Sequence, residues 1–177
     1  MTLEQAIGLT PRTLARVGTD ASDLRSAFAR FPSGLAAICA SVDGEFVGIV
    51  ASSFSVGVSF DPPLVMFSVQ NASTTWPRLR GAASIGISIL GQDQARVASQ
   101  LASRSADRFA DLDLDVTESG AVLIHKSTMW LECSIISETP AGDHHIVVLE
   151  VTRLSIEHEI SPLVYHGQKF HSLRAAG

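Results

Sequence analysis

Charge is scarce in this chain, and what there is does not cluster. Charged residues make up 18% of the 177, against 46% hydrophobic ones. The 13 basic side chains are scattered and outnumbered by 18 acidic ones, for a net charge of −5. Phosphate-backbone binding needs clustered cations, so this pattern argues against nucleic acid as the main partner. Cysteine is rarer still. Cys39 and Cys133 stand far apart and form no Cys-x-x-Cys pair, which argues against a zinc knuckle or a dithiol redox centre. Each sits in an apolar strand pattern and reads as a buried structural thiol. No apolar run approaches the roughly 18 residues of a membrane span. The opening Met1-Thr-Leu-Glu-Gln-Ala-Ile lacks a basic segment followed by an apolar one, so the cytoplasm is the default expectation. P-loop, G-x-G-x-x-G, H-E-x-x-H and G-x-S-x-G patterns are absent. His144 and His145 are neighbours, but no third ligand stands at a recognisable spacing, so no metal is expected.

What remains is apolar material in short runs, enough for one domain with a sizeable core. Residues 1–21 read as an arm, partly helical around Pro11 to Val17, and the domain itself as 22–174. Asp20 or Ser22 can cap a helix whose apolar face is Leu24, Ala27, Phe28 and Phe31, ended by Pro32 and Gly34. Leu35–Val42 and Phe46–Ser53 read as strands joined by an Asp43-Gly44 hairpin turn. Gly48 and Gly57 fall inside strand patterns, where glycine marks a bulge or a close approach. Leu64–Val69, Ser84–Leu90, Ala121–Ile124, Trp130–Ser137, His145–Ile156 and Leu163–Tyr165 complete the strands. Helices are expected at Trp76–Gly81 and Gln92–Arg104, and Ala106–Gly120 as a polar loop. Seven or so strands without regular β-α-β alternation argue for a closed antiparallel barrel.

The chemistry concentrates between Ala51 and Trp76. Two apolar strands flank Asp61-Pro62-Pro63, and the second empties into Gln70-Asn-Ala-Ser-Thr-Thr-Trp76. The strands offer a flat apolar wall for a ring. Val50, Ala51, Ser52 and Ser53 add small polar contacts with no bulky side chain in the way. Ser73, Thr74 and Thr75 open a predicted helix, where hydroxyls and free N–H groups suit a phosphate. The competing reading is an ordinary helix cap by Ser73 or Thr75. A flat ring joined to a phosphate describes a flavin nucleotide.

The same residues carry a family resemblance. Phe31-Pro-Ser-Gly34, Ala51-Ser-Ser-Phe54, Asp61-Pro-Pro-Leu64, Ser73-Thr-Thr75, Gly142-Asp-His144 and Pro162-Leu-Val-Tyr-His166 occur in the order found in the short-chain flavin reductases. The resemblance spans roughly residues 24 to 173. It implies an FMN-binding split β-barrel, antiparallel and of Greek-key type, with a few flanking helices. It also implies flavin contacts from Val50, Ala51, Ser52, Ser53, Gln70, Asn71, Ser73, Thr74 and Thr75. Ser88 stands where the family often has Asn, a departure that shortens the reach of that side chain. Arg108-Phe109 resembles a family Arg/Lys-Phe segment near the flavin, the alternative being a surface arginine beside a buried phenylalanine. Gly142, Asp143 and His144 would lie on the nicotinamide side, with His144 as the catalytic candidate, against the reading of a plain hairpin turn. Tyr165-His166 resembles a C-terminal Tyr-His pair, although Gly167-Gln168 replaces the usual Arg-Gly.

The implied activity is an NAD(P)H:flavin oxidoreductase that reduces FMN or FAD and supplies reduced flavin to a partner monooxygenase, and the apolar composition, with the resemblance, leads to the expectation of a homodimer. Without a Rossmann fingerprint, NADH or NADPH would bind transiently across the flavin. Two alternatives stand beside it. One is a split-barrel protein that keeps its flavin and oxidises a small molecule, as the pyridoxamine phosphate oxidases do. That protein would want a basic phosphate pocket, and the sequence displays none. The other is a non-enzymatic flavin binder.

Overall fold

The computed structural model describes residues 14, 16–18, 20–104 and 107–173. The expected helical turn within residues 11–17 falls largely outside them. Three helices are seen among the described residues: α1 (Ala21–Phe28), α2 (Trp76–Leu79) and α3 (Ala95–Ala102). The strands are β1 (Ser33–Gly34), β2 (Ala36–Val42), β3 (Glu45–Ala51), β4 (Ser55–Phe60), β5 (Pro63–Gln70), β6 (Ile85–Ile89), β7 (Leu114–Val116), β8 (Val122–Ile124), β9 (Met129–Ala141), β10 (His144–Ile156), β11 (Leu163–His166) and β12 (Lys169–Ser172).

Seven strands form one sheet in the order β3-β2-β6-β9-β10-β5-β4, and every pairing is antiparallel. The two edge strands, β3 and β4, are consecutive in the chain, so the sheet curls until its ends are joined by residues 52–54. This is the split barrel, not a barrel closed by continuous strand pairing. The seam is held by a side chain. Ser53 Oγ donates to the Ser68 carbonyl and accepts from the Ser68 amide, both at 3.0 Å.

Sequence explains most of these elements locally. Asp43 and Gly44 both take positive φ (52° and 81°), the conformation of a tight hairpin between Val42 and Glu45. The register of β4 against β5 shifts between Ser55 and Ser59, around Gly57. Asp20 caps α1 by accepting from the Ser22 amide at 2.7 Å. The apolar face expected on α1 is nevertheless not buried, since Phe28 and Phe31 are 72% and 77% exposed. The segment expected as a polar loop holds β7, paired with β8.

Two cores flank β2. Inside the barrel, Ile38, Phe67, Ile85, Ile87, Val147 and Leu149 pack with Trp76 and Leu79 from α2. Outside, Ala37, Cys39, Leu101, Val122 and Ile124 pack α3 and β8 against the sheet. A fully buried Leu such as Leu101 contributes about 2 kcal/mol. Both cysteines are buried free thiols, and burial pushes each up to about 12. Neither is a thiolate at neutral pH.

Candidate active site

A cavity of about 700 Å³ opens at the seam. Its walls are the end of β3 and its connector (Val50 to Ser53), the end of β5 and the following loop (Ser68 to Thr75), the C-terminal end of α3, Arg108 and His144. It exists because the ladder is interrupted there and small side chains occupy the gap.

The hydroxyl loop faces the cavity in a defined state. Ser73 Oγ accepts from the Trp76 amide at 3.1 Å, so Ser73 does cap α2. Thr75 caps nothing. Its Oγ1 accepts from Arg108 Nη1 at 2.9 Å. Each oxygen therefore accepts from the protein, and each O–H proton is left to donate to an acceptor in the cavity. With four residues, α2 adds little dipole. The case for an anion here is carried by hydroxyls and a guanidinium instead.

Arg108 is held on three sides. Its Nε donates to the Ser103 carbonyl and its Nη1 to the Gly48 carbonyl, both at 2.8 Å, besides the bond to Thr75. Glycine at 48 serves the packing of Phe109, because a Cβ there would lie 2.7 Å from both Cys39 Sγ and Phe109 Cζ. Arg104, which sequence reasoning did not single out, lines the same cavity. Ion pairs among the described residues involve Arg78, Arg80, Arg153, His125 and His144, but neither Arg104 nor Arg108. Among the described residues, no Asp or Glu lines this cavity. The basic pocket absent from the linear sequence is thus assembled by the fold from two arginines just after α3.

His144 reaches the cavity from the start of β10, opposite Gln70 in the ladder. Gly142 (φ 64°) and Asp143 make the turn that begins the strand. Asp143 Oδ1 lies 2.7 Å from His144 Nδ1, and this hydrogen bond, then the nearby histidine charge, holds the Asp143 carboxyl below its ordinary value. Asn71 ties the loops together. Its amide donates to the Asp143 carbonyl at 3.0 Å and its Nδ2 to the Gly142 carbonyl at 3.3 Å.

The structure brings Val50, Ala51, Ser52, Ser53, Gln70, Ser73, Thr74, Thr75, Arg108 and His144 to one cavity. It places the others elsewhere. Asn71, Gly142 and Asp143 brace the rim. Ser88 is buried in β6, where its hydroxyl accepts from the Ile124 amide at 2.9 Å. Phe109 packs beneath Gly48 in the outer core. Tyr165 and His166 lie on β11, in the separate sheet β1-β11-β12. Besides Arg104, the wall residues not foreseen are Ile49, Ser68, Val69, Ala72, Leu101 and Ala102.

The seam of this split barrel thus opens on hydroxyls and guanidinium groups. The flavin reductase like domain family matches residues 28–174. An NADH:FMN oxidoreductase of Rhodococcus qingshengii is 34% identical over 159 residues, covering 87% of this chain and 82% of that protein. The reductase subunit HsaB of a flavin-dependent monooxygenase from Mycobacterium tuberculosis is 29% identical, covering 84% and 80%. Among solved structures, the NADH:FAD oxidoreductase SgcE6 of Streptomyces globisporus superposes with a TM-score of 0.84 at 28% identity, covering 93% of this chain and all of that one. The chain belongs to the flavin reductase like family, and it is an oxidoreductase.

Proposed function

We propose that this protein uses NADH or NADPH to reduce FMN or FAD and supplies the reduced flavin to a partner monooxygenase. The observation that carries the reading is one cavity joining a small-residue strand end, a hydroxyl–guanidinium cradle and a histidine on a rigid turn. The residues present fit a flavin nucleotide. Val50 to Ser53 would lie along the ring, and Ser73, Thr74, Thr75 and Arg108 would hold the phosphate. When bound, the flavin supplies the hydride acceptor. The chain's own tasks are binding, orientation and exclusion of water.

Anchoring to three acceptors fixes Arg108 before any ligand arrives, so little side-chain freedom is lost on binding. Asp143 sets the orientation of the His144 ring through Nδ1, leaving Nε2 as its second polar edge. Hydride transfer asks for no proton from His144, so its role is to orient the nicotinamide. The Asn71 brace holds this turn at a fixed distance from the phosphate loop.

Steady-state oxidation of NADH and NADPH, with FMN, FAD and riboflavin in turn, tests the proposal. Turnover dependent on added flavin is expected. Tight flavin that is never released, with no NAD(P)H oxidation, would move the assignment to a flavin-retaining protein. A cytoplasmic location fits this reading. We further propose a homodimer, supported by exposed Val56, Val58 and Phe60 on β4 and Ile136, Leu154 and Ile156 on β9 and β10. Sedimentation at micromolar concentration should show the dimer, and a fully active monomer would overturn it.

A further inference from the structure

The groove does not end at the Thr75–Arg108 contact. A smaller cavity of about 300 Å³ shares Thr74, Thr75 and Arg108 with the larger one. Phe46, Phe109, Arg78 and Asp107 line it. Its position follows from β3. Alternate residues of a strand share a face, so Phe46, Gly48, Val50 and Ser52 lie together, while Val47 and Ala51 belong to the barrel core. From Ser52 to Phe46 is roughly 20 Å of extended strand, the span of a stretched dinucleotide. Along that face come the proposed ring wall, then Gly48, whose carbonyl meets Arg108, then Phe46. The Phe109 ring and Cys39 Sγ fill the space beside Gly48, so the two cavities meet at Thr74, Thr75 and Arg108.

Phe46 is 43% exposed. Its ring centroid lies 5.7 Å from that of Phe109, which is seated in the outer core. Arg78, on the same cavity, is steadied by an ion pair with Glu45 at 2.6 Å. A supported aromatic face beyond a phosphate cradle is the arrangement that receives a nucleobase, since every base has a face that stacks.

We propose that the small cavity is the adenosine subsite for FAD, with the base on Phe46, so that the protein takes FAD in preference to FMN. The proposal rests on reading the larger cavity as the flavin site. Dissociation constants for riboflavin, FMN and FAD, measured by flavin fluorescence on the full chain, test it. The wild type should bind FAD about tenfold more tightly than FMN, the scale of one base–aromatic stack. Phe46→Ser should abolish that preference and leave FMN affinity unchanged, which also reports an intact fold. Phe46→Trp should keep the preference. Equal FMN and FAD affinities in the wild type overturn the subsite while leaving the flavin site standing, whatever any variant does. Failure to bind any flavin overturns both. A raised KM for NADH in Phe46→Ser, with FAD affinity unchanged, would assign the cavity to the adenosine of the hydride donor and overturn the proposal.

Discussion

Two clusters of hydroxyl groups in this molecule, each with an arginine, have opposite fates. On the outer face of β9, the buried Glu132 carboxylate accepts from Ser84 (3.3 Å), Thr117 (3.2 Å) and Ser119, with Arg153 at 3.4 Å. At the seam, no described Asp or Glu lines the larger cavity with Ser73, Thr74, Thr75 and Arg108, and the nearest carboxylate, Asp107, faces the smaller cavity beyond them. The first cluster carries its own anion and is complete, so it staples the 117–121 segment to the sheet. The second has the same donors without the anion. Hydroxyl clusters become sites when the fold withholds the partner that would satisfy them.

The comparison breaks most visibly at the seam. Replacing Ser73 and Thr75 together by Ala should weaken FMN and FAD binding by about 3 kcal/mol or more, since each charge-assisted bond is worth roughly 1.5–3 kcal/mol. Riboflavin titrations should be unaffected, and equal losses for all three flavins would mean that these hydroxyls do not meet phosphate. The converse change is Glu132→Gln, expected to cost about 2 kcal/mol in denaturant unfolding. Flavin affinity should not move. A shift in affinity would erase the distinction between the clusters.

His144→Ala should lower kcat/KM for NAD(P)H about tenfold, or ~1.4 kcal/mol, with flavin affinity held. His144→Asn should recover part of the rate, because orientation and not proton transfer is lost. An unchanged anaerobic stopped-flow rate would reduce Gly142 to His144 to a turn. The smallest effect is pH dependence. The Ser119 hydrogen bond above all, with Thr117, Ser84 and Arg153, holds the Glu132 carboxyl below its ordinary value of 4.5 despite burial. Its folded value is depressed, so its stabilisation is complete above 4.5 and disappears as pH falls through the folded value. Melting curves of wild type and Glu132→Gln should therefore converge in acid.

The strands and the hydroxyl loop were legible because their signals are local. Alternation at Ile85, Ile87 and Ile89, the Asp43-Gly44 turn and the run from Ser73 to Thr75 each lie within a few residues. Gly48 was legible as a close approach, although not what approaches it. Other features depend on distant partners. Arg104 is one scattered cation until α3 carries it to the cavity. Ser88 reads as a polar contact, but β8 covers that face of β6 and takes its hydroxyl. β7 is three residues long, too short for alternation to show. The helix expected through Phe31 ends at Phe28 and buries none of its residues, and amphipathicity cannot say which surface, or whose, would cover such a face.

The Ser53–Ser68 contact has a consequence for how the barrel breathes. Elsewhere in the sheet an amide is protected by a ladder of neighbours that must open together. At the seam, the Ser68 amide is protected by a single hydroxyl. That one deuterium should exchange ahead of its neighbours in β5, faster still in Ser53→Ala, and slow when a ring occupies the gap, making it a clock for how often the site gapes.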